Sequence, residues 1–168
     1  IVGRHASDMV LPASLPVCGD QLAVDLEALL AVRPTRIYTQ WGSRDLPAPL
    51  VALAAKQGWT LRELDLMTLA DVEREIIALD ADLAPTGGSG ARVLREFQTA
   101  LRPRPELAAA GRVMLLGAVS PPGALGPGSC HHEILLRLAL TPALTTGGPW
   151  QKLAHEDLLL LDPNVLVL

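Results

Sequence analysis

The chain has 168 residues, 49% hydrophobic and 19% charged, which excludes a disordered polypeptide and suits one domain or two small lobes. Fourteen Lys and Arg against 18 Asp and Glu leave a net charge of −4, so no basic footprint for nucleic acid exists. No run of about 18 uncharged apolar residues is present, which excludes a membrane-crossing helix of ordinary composition.

Residues 3–21 read as a loop punctuated by Pro12, Pro16 and Gly19. Residues 25–32 read as a short helix with Leu26, Leu29 and Leu30 on one face, ended by Pro34, and residues 36–40 as a strand. Pro47 suits the start of a helix that runs to Gly58. Residues 59–66 form a second strand. Thr68-Leu-Ala-Asp71 is a capping box with Asp in place of Glu, and it opens a helix carrying Val72, Ile76 and Leu79. This alternation predicts a parallel sheet covered by helices.

Residues 85–90 break the composition, and Gly87-Gly-Ser-Gly90 reads as a linker. An amphipathic helix follows at 91–101, with Val93, Leu94, Phe97 and Leu101 at helical spacing, and Arg102-Pro-Arg-Pro105 stops it. Residues 112–116 predict a strand, 120–128 a Pro/Gly loop, 130–140 a helix, 147–150 a turn, 155–161 a helix and 165–168 a strand.

Two segments align without gaps: Glu27-Ala-Leu-Leu-Ala-Val-Arg-Pro34 and Glu156-Asp-Leu-Leu-Leu-Leu-Asp-Pro163. In each, Leu-Leu packs a helix on a sheet and Pro ends that helix and launches a strand. The repeat predicts two related lobes, residues 1–83 and 104–168, with a linker and bridging helix at 84–103. No secretory leader is visible, the first residue is Ile1, and an apolar strand closes the sequence, so a processed or partial chain is expected. Cys18 and Cys130 allow at most one internal disulfide and form no CxxC zinc motif.

Taken together, Ile1-Val-Gly-Arg4, Leu15-Pro-Val-Cys-Gly-Asp20, Asp25-Leu-Glu-Ala-Leu-Leu-Ala-Val-Arg-Pro34, Gly126-Pro-Gly-Ser129 and the run from Gly148-Pro-Trp150 to Pro163 carry a resemblance. In order and spacing the sequence resembles the iron-siderophore/cobalamin class of ABC-transporter substrate-binding proteins, with their helical-backbone metal-receptor fold. The resemblance covers nearly the whole chain, with the family's first strand and helix and its last elements absent. It implies an α/β fold of two parallel-sheet, Rossmann-like lobes bridged by a helix. It also implies a non-enzymatic, monomeric, periplasmic or otherwise extracytoplasmic protein, held near the membrane by its permease or by a lost lipid anchor. The implied cargo is cobalamin, haem, an iron-siderophore or a bare transition-metal ion, passed to an ABC permease.

The resemblance implies a ligand site in the cleft between the lobes, lined by loops at the carboxyl ends of strands, which is also the general place in open α/β sheets. Trp41, just after the strand at 36–40, and Trp150, in the Gly-Gly-Pro-Trp turn, offer rigid apolar faces for a flat macrocycle. Trp59, at a strand start, reads as core. His5 in the first loop, and His131 or His132 at a helix start, are candidate metal donors, with Asp8 and Cys130 near them in sequence. No HxxxH or HExxH spacing occurs. Gly128 and Ser129 belong to a Gly-Pro-Gly turn of the anion-binding kind, and the absence of a following Lys-Ser/Thr excludes a nucleotide P-loop. By resemblance, Glu156 is the acid that docks the second lobe on a permease. In the first lobe the matching place is Pro47, and Asp45 nearby is the substitute.

The enzymatic alternative is a metal chelatase of tetrapyrrole metabolism, a class the same fold also carries. No GxSxG elbow or paired-carboxylate motif supports hydrolysis.

Overall fold

Asp25 ends the irregular N-terminal segment by capping helix α1 (Leu26–Val32), its carboxylate accepting from the Ala28 N–H at 2.9 Å. Helix α2 (Ala48–Gln57) enters at Pro47 and leaves through Gly58, whose φ of 69° is the left-handed conformation a helix exit needs. Between and after them, β1 (Arg36–Thr39) and β2 (Thr60–Glu63) pair in parallel, with Arg36 opposite Thr60 and Thr39 opposite Glu63. Leu29, Leu50 and Ala54 are the buried apolar residues of the two helices. The second strand is shorter than its sequence run: the ladder ends at Thr39 and Glu63, with the Leu64 N–H still donating to the Thr39 carbonyl at 2.8 Å.

These elements come from a computed structural model that describes residues 1–20, 22–41 and 45–168. They belong to the first of two compact units, Ile1–Leu64 and Asp65–Leu168.

The second unit begins with α3 (Leu69–Leu83), whose predicted capping box is formed. Thr68 Oγ1 accepts from the Asp71 N–H at 3.1 Å, and Asp71 accepts from the Thr68 N–H at 2.9 Å. Helix α4 (Gly90–Ala100) packs on α3. A side chain at Gly88 or Gly90 would collide with Asp80 of α3, so these glycines let the two helices join closely. Contacts of α3 with α4 and α5 group residues 65–83 with the second unit, whereas the sequence reading placed them in the first lobe.

After a 3-10 turn (Pro105–Ala110) come β3 (Arg112–Val119), β4 (Pro122–Leu125) and α5 (Cys130–Arg137). Then follow β5 (Thr141–Pro142), β6 (Trp150–Lys152), α6 (His155–Leu161) and β7 (Val165–Val167). The first half of β3 pairs in parallel with β5 and β7. Its second half pairs antiparallel with β4, and β4 pairs antiparallel with β6. The sheet of this unit is therefore mixed, not purely parallel as expected.

The difference arises at residues 120–128, where a loop was expected and a hairpin forms. Pro122 sits at the first position of β4, where it lacks only an N–H, and its carbonyl accepts from the Leu153 N–H at 2.9 Å. Helix α5 stops at Arg137, three residues short of the expected end. Ala139 turns left-handed at φ 60°, and the Leu140 N–H returns to the Leu135 carbonyl at 2.9 Å.

Met114, Leu116, Ala124, Ala143 and Leu144 make the core of this unit, with Leu153, Leu158 and Leu161 packed against it. At the foot of the sheet, Asn164 exchanges two 2.8 Å hydrogen bonds with the Arg112 backbone, which sets the register of β7 on β3. The two helix-proline-strand units of the sequence repeat end in separate sheets, β1 in one and β7 in the other.

Candidate functional site

Trp150 opens β6 rather than sitting in a turn. It lies opposite Leu125 of β4, diagonal to Gly123, and its six-membered ring extends over Gly123 and on to Gly117 of β3. A Cβ at Gly117 would stand 2.6 Å from Trp150 Cζ3, and one at Gly123 would stand 2.6 Å from Cη2, both well inside van der Waals contact. The β3–β4 register shifts between Leu116 and Ala118, so Gly117 is the extra residue of a β-bulge. Despite this seat, 47% of Trp150 stays exposed. The turn before it is pinned by Gln151, whose side-chain amide donates to the Thr146 carbonyl at 2.7 Å and to the Gly148 carbonyl at 3.2 Å. The result is a large, half-exposed aromatic side chain on a rigid hairpin, a pairing suited to apolar ring contact.

Trp41 lies just past the carboxyl end of β1 and is partly buried. Trp59, expected in the core, is instead half-buried. It helps line an open groove of about 570 Å³ with Arg33, Pro34 and Gly58, at the amino ends of β1 and β2. That is the end of the sheet away from the usual ligand position.

The first loop is organised from within. The Arg4 guanidinium donates to the carbonyls of His5, Ala6, Asp8 and Ala13 at 3.2 to 3.5 Å. Asp8 accepts from the N–H groups of Val10 and Leu11 at 2.8 and 2.7 Å. Those two bonds, Leu11's above all, hold its carboxyl below the usual carboxylate range. Asp8 is thereby committed to its own turn. His5 is exposed, and its Nδ1 accepts from the Ser7 N–H at 3.0 Å, which leaves the proton of the neutral ring on Nε2. A metal could reach Nε2 only after that tautomer changes.

At the start of α5 the candidates divide. Ser129 is buried as the helix cap, its Oγ accepting from the His132 N–H at 3.2 Å and donating to the Gly126 carbonyl at 2.8 Å. Gly128, at φ 87°, supplies the left-handed step before it. His132 is buried, and its Nε2–H donates to the Leu144 carbonyl at 3.1 Å. Both Ser129 and His132 are thus spent inside the protein. His131 is exposed, with Nδ1 3.4 Å from the Cys130 sulfur. Burial pushes the Cys130 thiol up, so it is protonated at neutral pH. Among the described residues, no three His, Cys, Asp or Glu side chains gather as a metal-binding group.

Glu156 is exposed in the first turn of α6. Its neighbour Asp157 does the capping, accepting from the Ala154 N–H at 2.7 Å. Asp45 is also exposed.

Sequence reasoning missed Gly117, Gly123 and Arg4. The two glycines carry no motif of their own, and neither has a positive φ. The one available signal was a pair of glycines on either side of Ala118-Val-Ser-Pro-Pro122, with an aromatic downstream.

No family model matches the sequence, and no curated protein is similar to it at a significant level. Solved structures match in fold. The periplasmic heme-binding protein HutB of Vibrio cholerae superposes at a TM-score of 0.70 and 16% identity, over 93% of this chain and 63% of its own. The periplasmic vitamin B12 binding protein BtuF of Vibrio cholerae gives 0.63 and 18%, over 90% and 60%. The siderophore binding protein FhuD of the same organism, solved with Fe3+-Desferal, gives 0.67 and 18%, over 93% and 62%. The chain thus has the fold of these binding proteins and spans about 60% of their length. Nothing among them supports the chelatase alternative.

Proposed function

We propose that the chain is the ligand-capturing component of an ABC importer, built as two α/β lobes and acting as a monomer outside the cytoplasm; α4, expected as the bridge, packs on α3 within the second unit. Its cargo is a metal chelate, and a flat tetrapyrrole (haem or cobalamin) fits better than a compact siderophore or a bare ion. Fold by itself does not fix function. The observation that carries the reading is Trp150, a half-exposed indole fixed on a rigid hairpin, in a fold whose solved neighbours are named for heme, vitamin B12 and siderophore binding. Stacking on an indole rewards an extended ring plane, which a macrocycle supplies.

In this reading Gly128 and Ser129 shape the turn before α5 in the unit that carries Trp150, and Trp41 is the apolar face that the first unit offers. His5 and His131 are the available imidazoles for a metal centre, since His132 is turned inward. Glu156 and Asp45 face the permease. Substrate capture requires no turnover, and no observation favours a chelatase.

The test is titration of the protein with haemin, cyanocobalamin and iron-loaded Desferal, followed by tryptophan quenching. Saturable binding of a tetrapyrrole is expected, weakened by about 1–3 kcal/mol in Trp150→Ala. Absence of saturable binding for all three ligands defeats the proposal.

A further inference from the structure

We propose that Gly117 and Gly123 are positioning residues for ligand capture, acting through Trp150. The inference rests on the tetrapyrrole reading above.

The ring of Trp150 crosses two strands. Where a Cβ at either glycine would stand, ring atoms already lie within 2.6 Å. Neither glycine has a left-handed φ, so backbone conformation does not require glycine at these positions. Space does. The missing side chains lower the floor of the hairpin on two adjacent strands, and the indole settles against backbone instead of riding on side chains. The bulge at Gly117 bends β3 locally where the ring crosses it.

A stacking face is useful only when its plane is held, because a mobile ring loses rotamer entropy on binding. Gln151, bonded to the turn on the amino side of Trp150, restrains the same residue from its other flank. The atoms that an added Cβ would meet are the far end of the Trp150 side chain. The easy response to Gly→Ala is therefore tipping of the indole off the sheet, with little backbone change.

A purely structural role is the competing account. Cross-strand aromatics cover strand glycines and stabilise sheets without any ligand. The two accounts differ in how Gly and Trp substitutions combine.

Iodide quenching is read in a Trp41→Phe/Trp59→Phe background, in which Trp150 is the one tryptophan, and haemin affinity is read in the chain with Trp41 and Trp59 intact. Gly117→Ala and Gly123→Ala are expected to raise iodide quenching of Trp150 about twofold. They should lower haemin affinity about tenfold, the size of losing one aromatic contact. Trp150→Ala should lower it by a similar factor, and Gly123→Ala added to Trp150→Ala should lower it no further. Should Gly123→Ala fold poorly, Gly117→Ala carries the same comparison. The pair Gly123→Ala/Trp150→Phe, with its smaller ring, should bind haemin as Trp150→Phe does alone. Unchanged quenching in both glycine variants overturns the seat. Multiplying losses in the double variant overturn the positioning role and leave a structural one. If quenching rises but neither the glycine variants nor Trp150→Ala changes haemin affinity, the tetrapyrrole reading itself falls, and the positioning role with it.

Discussion

Arg33 and Asp162 occupy the same point in two copies of one local design. Each is the last residue before a proline, each is left-handed (φ 48°, ψ 61° and φ 42°, ψ 60°), and each closes its helix with an N–H bond to a leucine carbonyl. The bonds run to Leu29 at 3.0 Å and to Leu158 at 3.2 Å. The proline that follows bars a further helical turn, so the chain reverses at the preceding residue.

A non-glycine residue in the left-handed region costs roughly 1–2 kcal/mol, while glycine loses roughly 0.5–1 kcal/mol of extra backbone entropy on folding. The first effect is larger. Arg33→Gly and Asp162→Gly are each expected to stabilise the protein, by up to about 1 kcal/mol, measured by urea denaturation. A loss of stability in both would show that the αL strain is relieved elsewhere.

The capping box at Thr68 and Asp71 gives a second prediction. Thr68→Ala should cost about 1 kcal/mol, the usual value of an N-cap hydroxyl. Asp71 is held below its ordinary range by the Thr68 hydroxyl first and by Arg74 next, 2.7 Å away. Asp8 and Asp20 are lowered as well, by backbone N–H groups. In the acid range the unfolded chain then binds more protons than the folded one, so stability rises with pH. The contribution of these groups is complete above the unfolded carboxylate value, about 3.9, and drains away as pH falls through their lower folded values. Asp71→Asn should flatten the acid limb of a stability–pH curve and leave its neutral part parallel to that of the parent.

His132 separates a structural imidazole from a ligating one. His132→Phe removes the bond to the Leu144 carbonyl and leaves that acceptor buried, so a loss of about 1–3 kcal/mol in stability is expected. Haemin affinity should not change. His5→Ala and His131→Ala should show the reverse pattern, small stability changes with altered haemin absorption. An altered haemin spectrum in His132→Phe would contradict the inward role of this side chain.

Glu156 and Asp157 stand side by side with different tasks. Asp157 bonds to the α6 entry and Glu156 does not. Under the proposed docking, Glu156→Gln should leave thermal stability and ligand affinity unchanged while slowing uptake through the proposed permease, more so at high salt. Asp157→Ala should lower the melting temperature instead. Equal uptake by Glu156→Gln and the parent would remove Glu156 from the docking surface.

Much of this was legible from residue order. The helices announce themselves through local chemistry: Asp25, Thr68 and Ser129 each accept from the amide three residues on, and Pro34, Gly58 and Pro163 end helices through their own backbone limits. The repeat at Glu27 and Glu156 was readable because helix, proline and strand are specified within a few residues. The tertiary structure alone decided the rest. The return strand β4 is Pro-Gly-Ala-Leu, mostly residues with little strand preference, and it exists because β3, β6 and the core at Ala124 hold it. His132 and His131 are neighbours in sequence, but a helix turns them about 100° apart, and packing against Leu144 chose which one is buried. Trp150 was visible as a candidate from the start. Its seat on Gly117 and Gly123 was not, because the register of three strands, set by long-range pairing, brings those residues under its ring.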